Sequence, residues 1–450
     1  MSTTIPTARV LRRLLASGVL VRAERLLERV HPADLGPLLA NLTPSEIRLV
    51  VDLLFKQRRA ATMLRELPPE LMPQIFDALS DQRLAEVLSR MEVDDMLELV
   101  EAIPEDRSEA VRQLLPASKR ADLRHAELYP PDSAGRVMTT NFIALDEKMT
   151  AQEAIDSIRA AGDSSDQILY LYVIDELRHL LGVVPIRRLV AAPPDTPCSE
   201  LMIAHPISTP PDSDQEEVAH LVARYDLLAI PVTDIDGTML GVITVDDVID
   251  VITEEATEDM YHLAGLSEED RVFSSARLSI RKRMPWMALN LITTFTAGLI
   301  VYQFQHTIER FVVLAAFLPI VGGMGGNGGI QTLTVITRSI ALGEIEFSSG
   351  IRAIGKEMGV GLVIGTAAGV VTGGIAYAWE GNPYMGIVLL LAMMATLTIA
   401  GLLGAAVPLA LKALRQDPAL GSGVIVTFGT DALGFLIFLS IATLLIDRLA

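Results

Sequence analysis

The chain has 450 residues, half of them apolar, a single cysteine and a net charge of −19 at pH 7. Its length allows two or three domains. Cys198 alone excludes a disulfide framework, a cysteine-rich metal centre and a CxxC redox motif, and the seven histidines contain no pair at metal-ligand spacing.

The charge is concentrated at the front. From Pro285 onward 7 Lys/Arg face 8 Asp/Glu, which leaves 30 basic and 48 acidic residues of the totals 37 and 56 before it. Such an acidic front half argues against nucleic acid or anionic lipid as its partner and attracts cations. Residues 2–35 carry basic residues every few positions and no apolar signal core, so the front half is expected to stay in the cytoplasm.

In chain order, an apolar residue precedes a polar turn every 12 or 13 residues: Val30, Leu42, Leu54, Leu67, Leu79, Met91, Ile103 and Leu115. Each unit reads as a short amphipathic helix and a turn. Thr43-Pro-Ser-Glu46 reads as a capping box with proline at the first helical position. Units of this kind bury their stripes only by stacking, which predicts a helical superhelix over about 23–125, within an N-terminal domain 1–130.

A longer repeat follows. Val137-Met138, Ile143 and Glu153 align with Leu201-Met202, Ile207 and Glu217 at an offset of 64, then Val173 and Gly182 with Val232 and Gly241 at 59. The first copy thus carries five extra residues near 162–168. Each copy reads strand, helix, strand, strand, helix, with Asp234-Ile-Asp-Gly237 as a hairpin turn. The copies are placed at 131–196 and 197–257, with a connecting helix at 258–284 and a membrane domain at 285–450.

That last part holds charge-free or nearly charge-free stretches at 284–305, 311–337, 358–379, 381–411 and 418–446, the fifth broken only by Asp431. Each reaches the ~20 residues needed to cross a bilayer. Arg277, Arg281, Lys282 and Arg283 precede the first span; Arg338, Arg352 and Lys356 follow the second; Lys412 and Arg415 follow the fourth. This alternation places the N-terminus inside and the C-terminus outside.

Two membrane features point to chemistry. A carboxylate at mid-span costs about 3 kcal/mol, so Asp431 is expected to face a polar cavity. Six glycines at 322–329 in Pro319-Ile-Val-Gly-Gly-Met-Gly-Gly-Asn-Gly-Gly-Ile-Gln331 predict a broken helix. Freed carbonyls at Gly325 and Gly328, with the Asn327 and Gln331 amides, would then ligate a cation or its water. Close helix packing is the structural alternative.

Gly241-Val-Ile-Thr-Val-Asp-Asp247 resembles the hallmark of CBS domains, in which such a Thr and Asp touch ribose and phosphate. This makes Thr244 and Asp247 candidate contacts for ATP or another adenosine nucleotide. The first copy has Gly182-Val-Val-Pro-Ile-Arg-Arg188 and lacks both residues. The chain as a whole resembles the MgtE family of magnesium channels and transporters. The resemblance rests on Gly325-Gly-Asn-Gly-Gly-Ile-Gln331, Asp417-Pro-Ala, Thr430-Asp431-Ala-Leu-Gly434, and Asp246-Asp-Val-Ile-Asp250 followed by Glu254-Glu-Ala-Thr-Glu-Asp259.

The resemblance implies a multidomain membrane protein: a cytoplasmic α-helical superhelix, an α/β tandem CBS pair and a five-helix transmembrane domain. It implies a plasma-membrane homodimer with the pore on its axis, Asp431 holding hydrated Mg²⁺, and a plug helix over about 258–283. Regulatory Mg²⁺ bound between acidic faces would lock the closed state. The candidate metal ligands are Asp431, Asp417, Asp94, Glu98, Asp226, Asp247, Asp250, Glu255, Glu258 and Asp259. Gly423 stands where some members carry Asn, and Thr62 where some carry an acidic residue.

One carboxylate suits Mg²⁺, which dehydrates reluctantly, whereas copper or zinc would call for Cys or His in the spans. Selectivity among Mg²⁺, Co²⁺, Ni²⁺ and Mn²⁺ stays open. The alternative is a secondary transporter of another divalent cation or solute, regulated by nucleotide at the CBS pair. No set of residues suggests an enzyme.

Overall fold

The computed structural model describes residues 4–68, 70–161, 170–266, 270, 275–345, 347–414 and 416–449. They form two compact units, Met1–Ile252 and Thr253–Ala450. The expected five-residue insertion near 162–168 lies outside the described residues.

The first unit opens with the helices α1 (Thr4–Ala16), α2 (Leu20–Leu27), α3 (Leu35–Leu39), α4 (Pro44–Lys56), α5 (Ala60–Arg65), α6 (Met72–Ala78), α7 (Asp81–Leu88), α8 (Val93–Ala102), α9 (Glu105–Leu114) and α10 (Ala117–Ala126). The repeat decides their packing. Leu42, Leu54, Leu67, Leu79, Met91, Ile103 and Leu115 are all buried in one core, with Val30 packed against it. Burying such a side chain is worth about 1.5–3 kcal/mol, so the stack is held by its turns as much as by its helix faces.

Thr43 and Glu46 form the expected capping box, with Thr43 N donating to Glu46 Oε2 at 2.8 Å and Pro44 in the first turn. Basic side chains close helix C-termini from later units. Arg59 donates to the carbonyls of Leu27 and Val30 at 2.5 and 2.8 Å, and Arg107 to those of Phe76 and Leu79 at 2.7 and 2.8 Å.

The CBS pair comprises α11 (Ala134–Val137), β1 (Ala144–Asp146), α12 (Ala151–Ala161), β2 (Tyr170–Ile174), β3 (Leu180–Pro185), α13 (Ile186–Ala191), α14 (Cys198–Leu201), β4 (Ile203–Ala204), α15 (Gln215–Tyr225), β5 (Ala229–Thr233) and β6 (Met239–Thr244). Its copies exchange strands. The sheet order is β1-β2-β3-β4, so the second copy's leading strand completes the first copy's sheet, while Thr139 of the first bridges Val242 of the second.

This exchange explains a repeated glycine. A Cβ on Gly182 would lie 2.9 Å from the Ile203 carbonyl, and one on Gly241 would lie 2.7 Å from that of Thr139. Only glycine admits the exchanged strand so closely. Gly237, at φ 86, turns the expected hairpin, and Asp234 Oδ1 accepts from the Asp236 and Thr238 amides.

Helix α16 (Val245–Leu263) follows β6. The single connecting helix expected over 258–283 does not form: α16 stops at Leu263 and α17 (Ala276–Gln303) starts afresh under a Ser275 cap. Gly265, at φ 67, donates to the His262 carbonyl, and Leu266 to that of Tyr261, the pair of bonds that ends a helix with a left-handed glycine.

The second unit continues with α18 (Gln305–Arg310), α19 (Val313–Ala341), α20 (Phe347–Glu380), α21 (Pro383–Ala413), α22 (Ser422–Leu444) and α23 (Ile446–Leu449). Five helices, α17 and α19–α22, are long and apolar enough to cross a membrane. The glycine run does not break α19, which is helical throughout. Its glycines instead admit neighbours. A Cβ on Gly325 would meet Thr396 at 2.8 Å and one on Gly329 would meet Val426 at 2.6 Å. A second stripe, Gly365, Gly369 and Gly373, lets α20 lie on α21, with each Cβ position 2.6–2.9 Å from a carbonyl of α21.

Candidate functional site

In the first unit an acidic cleft of about 790 Å³ lies between α5, α8 and the start of α16. Asp94, Asp95, Glu92, Asp246, Asp247 and Asp122 line it, against Arg65, Arg90 and Lys119, and Thr62 lies on its wall. Glu98 and Asp250 do not line it, although the charge of Asp250 acts on Glu98. Of the candidate metal ligands, Asp94 and Asp247 are thus brought together in the cleft by α8 and α16, with Glu98 and Asp250 elsewhere on the same two helices. Arg65, Glu66 and Glu92 share the cluster and were not singled out from sequence, because they sit between helical repeats rather than on the α16 acidic run.

Burial and crowding oppose ionisation here. Asp94 is pushed well above the usual carboxylate range by burial, then by the charge of Asp247. Asp95 rises to about 6 through burial, with Arg65 partly offsetting it. Burial likewise raises Glu98, Asp247 and Asp250. The Asp94 Oδ1 atom is buried and has no hydrogen-bond partner among the described residues. Such an orphaned acceptor among carboxylates fits a cation ligand.

A raised folded-state pKa means that the folded protein holds more protons than the unfolded chain. Its contribution is full below the unfolded value and lost as pH rises through about 4 to 6. For Asp95, a rise from 3.8 to about 6 is on the order of 3 kcal/mol before screening. Metal-free protein is therefore expected to melt at higher temperature at pH 5.5 than at pH 7.5 in differential scanning calorimetry; an unchanged midpoint would contradict the packing of these acids.

Thr244 and Asp247 both line the cleft. The Thr244 hydroxyl donates to Asp246 Oδ1 or Asp247 Oδ2, at 2.5 and 2.6 Å, and the Thr244 amide donates to Asp247 Oδ2 at 3.4 Å, so Asp247 reaches back to the residue that precedes α16. Asp226 ends α15 in a left-handed conformation, φ 51, exposed and outside the cleft.

In the second unit Asp431 is partly buried on α22, and its Oδ1 would lie 3.2 Å from a Cβ built on Gly322 of α19. One turn on, Gly434 packs on Thr396, whose hydroxyl is buried without a partner among the described residues. Gly325 touches the same Thr396.

Asn327, Gly328 and Gln331 are not brought to Asp431. They line a cavity of about 470 Å³ with Thr332, Lys356 and Glu357. Five residues along a helix turn about 140° from the starting face, which separates Asn327 from Gly322. The third span, read from Met358, leaves out Glu357; α20 begins eleven residues earlier and buries Glu357 beside Lys356, 2.7 Å away. Elsewhere in this unit, Glu255, Glu258 and Asp259 follow on α16, and Asp417 precedes α22 beside Glu258 and His262.

Carboxylates set within apolar, span-length helices, in a chain that also carries a CBS pair and an acidic superhelix, mark a membrane protein that handles cations. Family models agree: "divalent cation transporter" matches residues 318–441, "MgtE intracellular N domain" 30–132, and "CBS domain" 134–195 and 198–254. The magnesium transporter MgtE of Thermus thermophilus is 35% identical over 427 residues, 94% of each chain. That of Bacillus subtilis is 33% identical over 387 residues, 86% of each. The solved cytosolic domain of the Mg²⁺ channel MgtE in complex with ATP is 36% identical, with a TM-score of 0.52, covering 54% of this chain and 99% of that one. The chain belongs to the MgtE family.

Proposed function

We propose that this protein carries Mg²⁺ across the plasma membrane as a homodimer, with Asp431 holding the hydrated ion and Mg²⁺ in the acidic cleft closing the pathway. Asp431 carries the reading: among the described residues of α22 it is the one carboxylate, set against Gly322, while Gly434, one turn on, packs on Thr396 with its orphaned hydroxyl. Relatives named as magnesium transporters support the cargo. The loop charges support an inside N-terminus and an outside C-terminus. Only 6% of the α17 apolar window is buried, which leaves this helix for lipid or a second copy.

Closure follows from charge. Carboxylates held above their usual range repel one another when ionised, and a divalent ion between them removes that repulsion. Occupancy then favours the compact arrangement, and loss of metal releases it. The cleft's six carboxylates against three basic groups favour a cation over a bare polyphosphate. A nucleotide at Thr244 and Asp247, in keeping with the ATP-bound relative, would enter with its own counterions. Flux into proteoliposomes separates the readings: Mg²⁺ uptake without proton or sodium counterflow is expected, and obligatory coupling to either would overturn passive permeation.

A further inference from the structure

The acidic total of the front half hides a basic end. Residues 1–30 hold six arginines, Arg9, Arg12, Arg13, Arg22, Arg25 and Arg29, against Glu24 and Glu28. Subtracting these from the 30 basic and 48 acidic residues before Pro285 leaves 24 and 46 over 31–284. A stretch of net +4 thus opens a body of net −22. Screening limits the reach of each charge to about 8–10 Å, so a partner of α1 and α2 meets the local sign and not the total.

The fold leaves most of these arginines in water. Arg12 pairs with Glu46 at 3.3 Å, and Glu24 pairs with Lys56 of α4 at 3.0 Å. Arg9, Arg13, Arg22, Arg25 and Arg29 are exposed and make no ion pair among the described residues. Their helices meet at a tight turn. Gly18, at φ 71, donates to the Leu15 carbonyl and Val19 to that of Leu14, both at 3.1 Å. Leu11, Leu15, Ala23 and Leu27 go to the core. Val19, Leu20 and Val21 do not: they stand 38%, 40% and 63% exposed in a row, with Arg13 before them and Arg22 after. Three consecutive aliphatics on a water-facing turn call for something that covers them.

Charge and apolarity together choose the occupant. A polynucleotide would take the arginines but leave the aliphatics in water, and residues 1–30 contain no aromatic side chain on which a base could stack. An anionic bilayer supplies both halves, phosphate at its surface and hydrocarbon beneath. The five span-length helices of the second unit keep such a surface tethered to this chain, at high effective concentration.

We propose that the turn between α1 and α2 docks on anionic phospholipid, with Val19, Leu20 and Val21 dipping below the headgroups while the unpaired arginines hold their phosphates. The inference is independent of the Mg²⁺ reading, and its test uses no flux.

The full chain with Cys198→Ala and Val21→Cys, carrying an environment-sensitive fluorophore at position 21, is placed in nanodiscs of phosphatidylcholine with or without phosphatidylglycerol. Emission is expected to shift to the blue, and to be quenched by spin-labelled lipid, only with phosphatidylglycerol present, and to revert at high salt. Each basic residue at an anionic surface is worth about fivefold in partitioning. Arg13→Gln, Arg22→Gln and Arg25→Gln together should therefore lower the docked-to-undocked ratio at least about tenfold. The same fluorophore introduced through Leu114→Cys, an exposed position of α9, should not respond. Equal emission in the two lipids, an unchanged ratio in the arginine variant, an equal response at position 114, or a response to added polynucleotide in place of phosphatidylglycerol would each overturn the proposal.

Discussion

Asp431→Ala is expected to abolish Mg²⁺ uptake while the protein still folds and inserts. The residue sits on α22, a span of apolar residues, where an uncompensated carboxylate costs about 3 kcal/mol, a cost that a cation beside it would offset. Removing it leaves the Thr396 hydroxyl and backbone carbonyls, all uncharged, to compete with the water around Mg²⁺. Gly322 makes the site sensitive to length as well as charge: a Cβ there would stand 3.2 Å from Asp431 Oδ1, so little space separates the two helices at this point. Asp431→Glu is therefore expected to recover only part of the flux. Isotopic or dye-reported uptake into proteoliposomes decides it, and normal uptake by the alanine variant would remove Asp431 from the pathway.

Neutralising Asp247, Asp250, Glu255 and Glu258 together, as Asn and Gln, is expected to leave uptake running at high internal Mg²⁺. Each lost carboxylate removes a charged ligand worth about 1.5–3 kcal/mol, so the Mg²⁺ concentration for half closure should rise at least about a hundredfold. The same change also removes the repulsion that opens the cleft, so the variant should be more compact without metal than the parent. Limited proteolysis with and without Mg²⁺ measures this: the parent should be protected by Mg²⁺ and the variant indifferent to it. Closure at the parent's Mg²⁺ concentration would exclude these residues as the sensor.

The domain order was readable because each part repeats or excludes something local. The 12–13-residue period placed a buried residue before nearly every helix, and the 64-residue offset placed the CBS pair. The strand exchange was not readable as such, though Gly182 and Gly241 marked it, because a repeat shows which residues correspond and not which copy they pair with.

The glycine run misled for an energetic reason. Each glycine costs a helix about 1 kcal/mol relative to alanine, but an unpaired backbone group in hydrocarbon costs several. In a membrane the ladder therefore persists, and the glycines serve packing. Asn327 and Gln331 consequently line a separate cavity with Glu357 rather than joining Asp431. His262 escaped notice because its nearest chain-distant partner, Asp417, lies 155 residues away, beyond any local ligand pattern.

The missing side chain at Gly322 bears on how fast an ion moves. The space beside it is already taken: a Cβ there would stand 2.9 Å from the Phe435 ring and 3.2 Å from Asp431 Oδ1. Phe435 and Asp431 lie one turn apart on α22, so any side chain at this position must displace an aromatic ring, a carboxylate or the helix that carries both. The rate at which an ion passes the proposed station is then tied to the exact spacing of two helices, and a change of one methyl group at Gly322 would alter that rate without touching a single charge.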